Sequence, residues 1–107
     1  MTDPSDIERL HEKHPGWLIG TVWVSAGSGP DARRLYATRD GIQVHAWTAA
    51  ELSERIEDEE NTQAEFLACD VLEARPEHVF TVRRVLRALR SGRMSPRVAL
   101  AQLRGVL

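Results

Sequence analysis

The residues in this chain best suited to binding another molecule are the arginines near its C-terminal end. Residues 78–107 contain seven Lys and Arg and no Asp or Glu, whereas residues 1–77 contain all 16 acidic residues. The net charge of −2 for the whole chain hides this separation. Separated charge is typical of proteins that contact nucleic acid or an acidic partner. The candidate binding residues are Arg83, Arg84, Arg87, Arg90, Arg93 and Arg97.

Three of these arginines are spaced to form one stripe on a helix. Arg83, Arg87 and Arg90 follow at intervals of four and three residues, which places them on one side of an α-helix. Such a stripe could neutralise several phosphates, and binding would then weaken steeply with salt. Alternatively, the stripe pairs with the acidic residues in 51–60 or forms the solvated outer surface of a dimer.

A second candidate binding surface combines aromatic and polar residues. Arg34, Tyr36, His45 and Trp47 fall on the same side of a predicted hairpin. Such a face resembles the platforms that stack nucleic-acid bases or dock peptides. Alternatively, the C-terminal helices or a second subunit cover it.

Residues that could carry catalysis or bind metal are scattered rather than grouped. His11 and His14 lack a third ligand nearby, so we expect both to be ordinary exposed histidines. His45 has no identifiable orienting partner for general-base catalysis, and Cys69, the single cysteine, is more typical of a small buried hydrophobic residue. The acidic run 57–60 lacks the ligand spacing and glycine of a calcium loop. We therefore expect a non-enzymatic protein without metal or cofactor.

The N-terminal half predicts the order helix, strand, strand, strand, helix. A helix is predicted over 5–13, since Ser5 and Glu8 form a capping box and a following proline ends it. A strand over 17–26, rich in β-branched and aromatic residues, and a flexible loop over 27–31 follow.

Asp40-Gly41 predicts a two-residue hairpin turn between strands over 34–39 and 42–47. The turn also predicts the cross-strand register, in which one face of the hairpin is apolar and the other polar and aromatic. The expected pairs are Arg39 with Ile42, Ala37 with Val44, Leu35 with Ala46, Thr38 with Gln43, Tyr36 with His45, and Arg34 with Trp47.

A helix over 49–60 should cover the apolar sheet face with Leu52 and Ile56, after a capping box formed by Thr48 and Glu51. Four consecutive acids oppose its dipole, so its last turn should fray.

Three further helices are predicted after a left-handed cap at Asn61. The first covers 62–74, starts with a capping box at Thr62 and carries Phe66 in its apolar set. The second covers 77–91, and the third starts at Ser95-Pro96. The second and third of these helices are predicted to form a helical hairpin that mediates homodimerisation or docking to an acidic partner. Its apolar assembly seam consists of Val79, Val82, Leu86, Leu89, Leu100, Leu103 and Leu107.

Together these elements predict an α+β fold, in which a three-stranded antiparallel sheet with flanking helices is followed by a C-terminal helical segment and hairpin. We expect an α+β domain over 1–60 and a C-terminal helical extension over 61–107. No segment has the roughly 20 apolar residues that a membrane span needs, and no leader pattern is present. We therefore expect a cytoplasmic location.

Three short patterns carry a resemblance over residues 7–60. They are His14-Pro15-Gly16-Trp17, Tyr36-Ala37-Thr38-Arg39, and Thr48-Ala49-Ala50-Glu51-Leu52. In these the chain resembles small uncharacterised actinobacterial proteins that share His-Pro-Gly-Trp, an aromatic before Ala-Thr-Arg, and Thr-x-x-Glu-Leu. The resemblance implies a source lineage and a cytoplasmic, regulatory setting, and it implies no activity.

The sequence thus predicts a small cytoplasmic regulatory or protein-interaction module that assembles through its C-terminal helices, with a homodimer or a protein partner. The alternative is a nucleic-acid-binding protein that uses the basic C-terminal hairpin. The order strand, strand, strand, helix also resembles AP2-type DNA readers and, with the first helix, the double-stranded-RNA-binding fold. The basic residues of those proteins are not matched here, since the sheet region has few arginines and its helix is acidic.

Overall fold

The computed structural model of this protein describes residues 4–24 and 32–107, with the backbone alone at Pro4. The predicted loop 27–31 and the end of the strand predicted beyond Val24 lie outside these residues. The elements, in chain order, are α1 (Pro4–Lys13), β1 (Leu18–Val24), β2 (Ala32–Arg39), β3 (Ile42–Ala46), α2 (Ala49–Ala74), a 3₁₀ turn (Pro76–His78), α3 (Val79–Arg90) and α4 (Pro96–Val106). The predicted α+β class, with a three-stranded sheet and C-terminal helices, is confirmed.

The chain divides into two compact units, Met1–Ile56 and Glu57–Leu107. We call them the sheet unit and the helical unit. Helix α2 runs through the boundary and supplies residues to both.

The sheet is antiparallel, with strand order β1-β2-β3. Asp40 and Gly41 have φ values of 51° and 81°, as the predicted two-residue turn requires. The predicted register is confirmed for the five pairs from Arg39–Ile42 to Leu35–Ala46. Strand β3 ends at Ala46, so Trp47 lies just beyond the ladder.

The core of the sheet unit lies between one sheet face and two helices. Leu52 and Ile56 of α2 are fully buried in it, which confirms that they cover the apolar face. The Oγ1 of Thr48 accepts a hydrogen bond from the Glu51 N–H at 3.2 Å, so the predicted N-cap is present. The other buried residues of this core are Leu10, Trp17, Ile19, Leu35, Ala37 and Ala46.

Two details of the N-terminal segment differ from the prediction. Helix α1 begins at Pro4, so Ser5 lies inside its first turn and is not the N-cap. His14 is buried rather than exposed, because its N–H continues the helical pattern to the Leu10 carbonyl at 2.8 Å. Its Nε2 lies 2.8 Å from the Oγ of Ser53 in α2, which is also buried.

The predicted break at Asn61 is wrong, since α2 is continuous from Ala49 to Ala74. Thr62 does not cap a new helix. Its Oγ1 instead donates to the Asp58 carbonyl at 3.0 Å, which keeps the side chain bonded within the helix. Ala64 and Ala68 are buried on the next turns, and this tertiary burial outweighs the local capping signal.

Helices α2, α3 and α4 build the core of the helical unit. Its buried residues are Ala64, Ala68, Val71, Val82, Val85, Leu89, Ala99, Leu100 and Leu103. Ser95 caps α4 as predicted, because its Oγ accepts from the Val98 N–H at 3.3 Å. Helix α3 begins at Val79 rather than at Glu77, after the 3₁₀ turn.

Most residues of the predicted assembly seam are buried within a single chain. Val82, Leu89, Leu100 and Leu103 are buried, and Leu86 packs against the same core. Val79 is half-buried, and Leu107 is half-exposed at the chain end. A partner of this unit must therefore contact other residues of these helices, and the seam's role in assembly stays a prediction.

Candidate functional site

The outer side of α3 presents four adjacent residues to solvent. Because α3 buries Val82, Val85 and Leu89, the residues opposite them face outward. These are Phe80, Arg83, Arg84 and Arg87, spaced so that they form one surface. With Arg93 from the following turn they line an open cavity of ≈600 Å³. We call these five residues the arginine face.

Phe80 adds an apolar side chain to the N-terminal end of the arginine face, and 76% of its surface is exposed. Sequence reasoning from the apolar seam missed this residue, because it lies outside the spacing of Val79, Val82 and Leu86. A usable signal was present, since Phe80 precedes Arg84 and Arg87 by four and seven residues.

Most of the arginine face is unpaired. Arg83, Arg84 and Arg87 make no ion pair or hydrogen bond in the described part of the chain. The Nε of Arg93 donates to the Ser91 Oγ at 3.0 Å, and Arg93 contacts no carboxylate in residues 4–24 and 32–107. The three charges on α3 therefore remain available to an external anion.

The other two predicted binding arginines are placed differently. Arg90 forms an exposed ion pair with Glu65 of α2 at 3.3 Å and lines a neighbouring cavity of ≈510 Å³. Arg97 is exposed on α4 and lines neither cavity. The alternative in which the stripe pairs with residues 51–60 is not seen for Arg90, whose partner is Glu65.

Helix α2 presents a surface of opposite charge in the same unit. Phe66, Asp70 and Glu73 are exposed and follow at intervals of four and three residues. We call these three residues the acidic face. Asp70 and Glu73 make no ion pair or hydrogen bond within the described residues.

Two predictions about α2 side chains are wrong. Cys69, expected to be buried, is exposed, and Phe66, expected in the apolar set, has 69% of its surface exposed. Helical geometry explains both, because the buried positions of this half are Ala64, Ala68 and Val71. Phe66 and Cys69 lie on the opposite side of the helix.

The structure brings together the predicted aromatic sheet face. Tyr36 and His45 are cross-strand partners, and Arg34 has its Cζ 5.6 Å from the centroid of the Trp47 ring. The Tyr36 ring lies over Gly20, where an added Cβ would be 2.7 Å from the tyrosine Oη. Glycine at this position therefore leaves room for the ring.

Two polar atoms on this face are buried and have no hydrogen-bond partner among the residues that the structure describes, the Nε of Arg34 and the Nδ1 of His45. His45 thus lacks an orienting hydrogen bond at Nδ1, which general-base catalysis needs. The His14–Ser53 pair has the residue types of a nucleophile and its base, but both side chains are buried. It holds the end of α1 to α2 and cannot reach a substrate in this structure.

No group of three or more His, Cys, Asp or Glu in the described residues is placed to hold a metal ion. None of the helices in residues 4–24 and 32–107 is long and apolar enough to span a membrane. No protein-family model, curated protein or solved structure matches the chain.

Proposed function

We propose that this protein is a non-enzymatic interaction module that binds an acidic partner through the arginine face and so assembles through its C-terminal helices. The observation that carries the proposal is that Arg83, Arg84 and Arg87 line one open cavity with the exposed Phe80 and make no ion pair among the described residues. Arginine and aromatic residues in a concave surface are typical of protein interfaces. The cytoplasmic, regulatory setting implied by the sequence resemblance is part of this proposal.

The charge of the whole chain favours an acidic protein surface over a long polyanion. The net charge is −2, so no large positive field steers the chain towards nucleic acid. A compact acidic surface, in contrast, needs only the local charges of the arginine face.

Nucleic-acid binding is the second candidate, and one observation favours it. Residues 78–107 contain no acidic residue, and the exposed ring of Phe80 could stack on an unpaired base beside Arg84 and Arg87. Binding of this kind would depend steeply on salt.

The test uses two anionic probes and two triple variants of equal charge. The probes are a labelled acidic peptide with one phenylalanine and a labelled short DNA strand, both followed by fluorescence anisotropy at about 50 and about 200 mM salt. The first variant removes the charges of the arginine face on α3. The control removes three exposed charges elsewhere. The substitutions are Arg83→Gln, Arg84→Gln and Arg87→Gln in the first, and Arg9→Gln, Arg55→Gln and Arg104→Gln in the control.

We expect the peptide to bind the wild-type chain and to lose affinity at least about tenfold in the first variant, with little loss in the control. Tighter binding of the DNA strand, with a steep salt dependence, would favour the second candidate. Equal losses in the two variants, or no binding of either probe, would contradict the proposal.

A further inference from the structure

The acidic face and the arginine face have the same spacing and opposite charge. On α2, Phe66 is followed after four and seven residues by Asp70 and Glu73, and on α3, Phe80 is followed at the same intervals by Arg84 and Arg87. In each case the three side chains form one exposed surface. Each face therefore contains one phenylalanine followed at the same intervals by two like charges, and the arginine face adds Arg83 and Arg93.

Neither face has its charges paired by the residues that the structure describes. Arg90 and Glu65 form an ion pair between α3 and α2, but Asp70, Glu73, Arg84 and Arg87 make none among the described residues. Their charges face solvent, and both phenylalanines remain exposed. A contact that joined the two faces would pair the charges and bury both rings.

We propose that the acidic partner of the arginine face is the acidic face of a second copy of this chain. The inference rests on the proposed function and names its partner. A two-fold axis between the copies would bring each acidic face against the other copy's arginine face, so the same contact forms twice and the dimer closes. Phe66 of one copy then enters the cavity beside Phe80 of the other.

Charge composition along the two helices supports this pairing. Residues 57–74 contain seven acidic residues and no basic one, whereas residues 79–90 contain four arginines and no acidic residue. Two α2 helices would repel each other, as would two α3 helices. Contact between α2 of one copy and α3 of the other is the arrangement that the charges favour.

The test is a charge-reversal exchange, with mass in solution measured by sedimentation velocity over a range of concentrations. The first variant carries Arg84→Glu and Arg87→Glu, and the second carries Asp70→Arg and Glu73→Arg. Because each variant has two faces of like charge, each alone should be monomeric, with a dissociation constant raised at least about tenfold. Mixed together, they regain opposite faces and should form a heterodimer.

A control with Arg9→Glu and Arg104→Glu changes the net charge by the same amount as the first variant and should stay dimeric. Circular dichroism checks that every variant is folded. A variant carrying all four reversals exchanges the signs of the two faces and should dimerise again.

Three outcomes would overturn the inference. They are a wild-type chain that is monomeric at the highest concentration, a dimer that neither variant dissociates, and two monomeric variants that fail to combine. The proposed function is judged separately by the anisotropy titration. A monomeric chain that binds the acidic peptide through the arginine face would refute the self-pairing and leave the proposed function standing.

Discussion

In the sheet unit each strand arginine lies over a tryptophan ring, whereas in the helical unit the α3 arginines face solvent. The distances from the guanidinium carbon to the ring centre are 5.1 Å for Arg33 and Trp23, 5.6 Å for Arg34 and Trp47, and 4.8 Å for Arg39 and Trp17. All three tryptophans of the protein are used in this way. The helical unit has no tryptophan, and its α3 arginines have a phenylalanine beside them and an open cavity. The neighbours of an arginine, more than its charge, therefore decide whether it is available to a partner.

The two units also differ in how their cores are built. The sheet unit packs large side chains such as Trp17, Leu35 and Leu52 between a sheet and helices. The helical unit places alanines at three of its nine buried positions, and small side chains let helix axes approach closely. The two cores share no residue, although α2 contributes to both. This separation predicts that damage to one core should leave the other largely intact.

The largest effect is expected from truncating a core residue in each unit. Leu52→Ala and Leu103→Ala each leave a cavity at a fully buried site, so each should lower the free energy of unfolding by about 2–5 kcal/mol. All three tryptophans lie in the sheet unit, so tryptophan fluorescence reports on that unit alone. In urea titrations, Leu52→Ala should shift the fluorescence midpoint, and Leu103→Ala should shift only the circular dichroism midpoint.

The exposed Leu18 supplies the control, because Leu18→Ala removes the same atoms from a side chain that is 63% exposed. Its effect should stay within about 0.5 kcal/mol. If Leu52→Ala and Leu103→Ala each shift both midpoints equally, the two units unfold as one. The prediction that the two cores are independently stable would then be wrong.

A smaller effect is expected from the buried hydrogen bond of the sheet unit. His14→Ala leaves the Ser53 hydroxyl buried without this partner, which should cost about 1–3 kcal/mol. His11→Ala is the matched control, since His11 is exposed three residues away on α1. The measurement is the fluorescence midpoint in urea. Similar shifts for the two variants would mean that the hydrogen bond contributes nothing to stability.

The sheet unit could be predicted in detail because its signals are local. Asp40-Gly41 requires left-handed backbone at both positions, and that turn determines the register and hence which face carries Leu35 and which carries Tyr36. Even the Arg34–Trp47 contact follows from the same register. Burial of His14 could not be predicted, since it depends on Ser53, 39 residues away.

The helical unit was harder to predict because its core consists partly of alanines. Alanine contributes little to an apolar pattern, so the sequence of α2 does not indicate that Ala64 and Ala68 are buried. The pattern favours the larger Phe66 and Cys69 as core residues, but both are exposed. Charge alone predicts the binding arginines, but whether each one is paired depends on where α2 places its acidic residues, since Arg90 contacts Glu65 and Arg83, Arg84 and Arg87 have no ion pair among the described residues.

The smallest effect tests the arginine comparison itself. Arg39 lies 4.8 Å from the ring of Trp17, which is buried, so Arg39→Gln should cost about 0.5–1 kcal/mol through loss of the cation–π contact. Arg84→Gln removes a charge that has no ion pair among the described residues, and its effect on stability should stay within about 0.5 kcal/mol. Binding of the acidic peptide should show the reverse order, because Arg84 belongs to the arginine face and Arg39 does not. If Arg84→Gln destabilises the chain as much as Arg39→Gln, Arg84 contributes to the stability of the fold. The arginine face would then not be available solely for binding a partner.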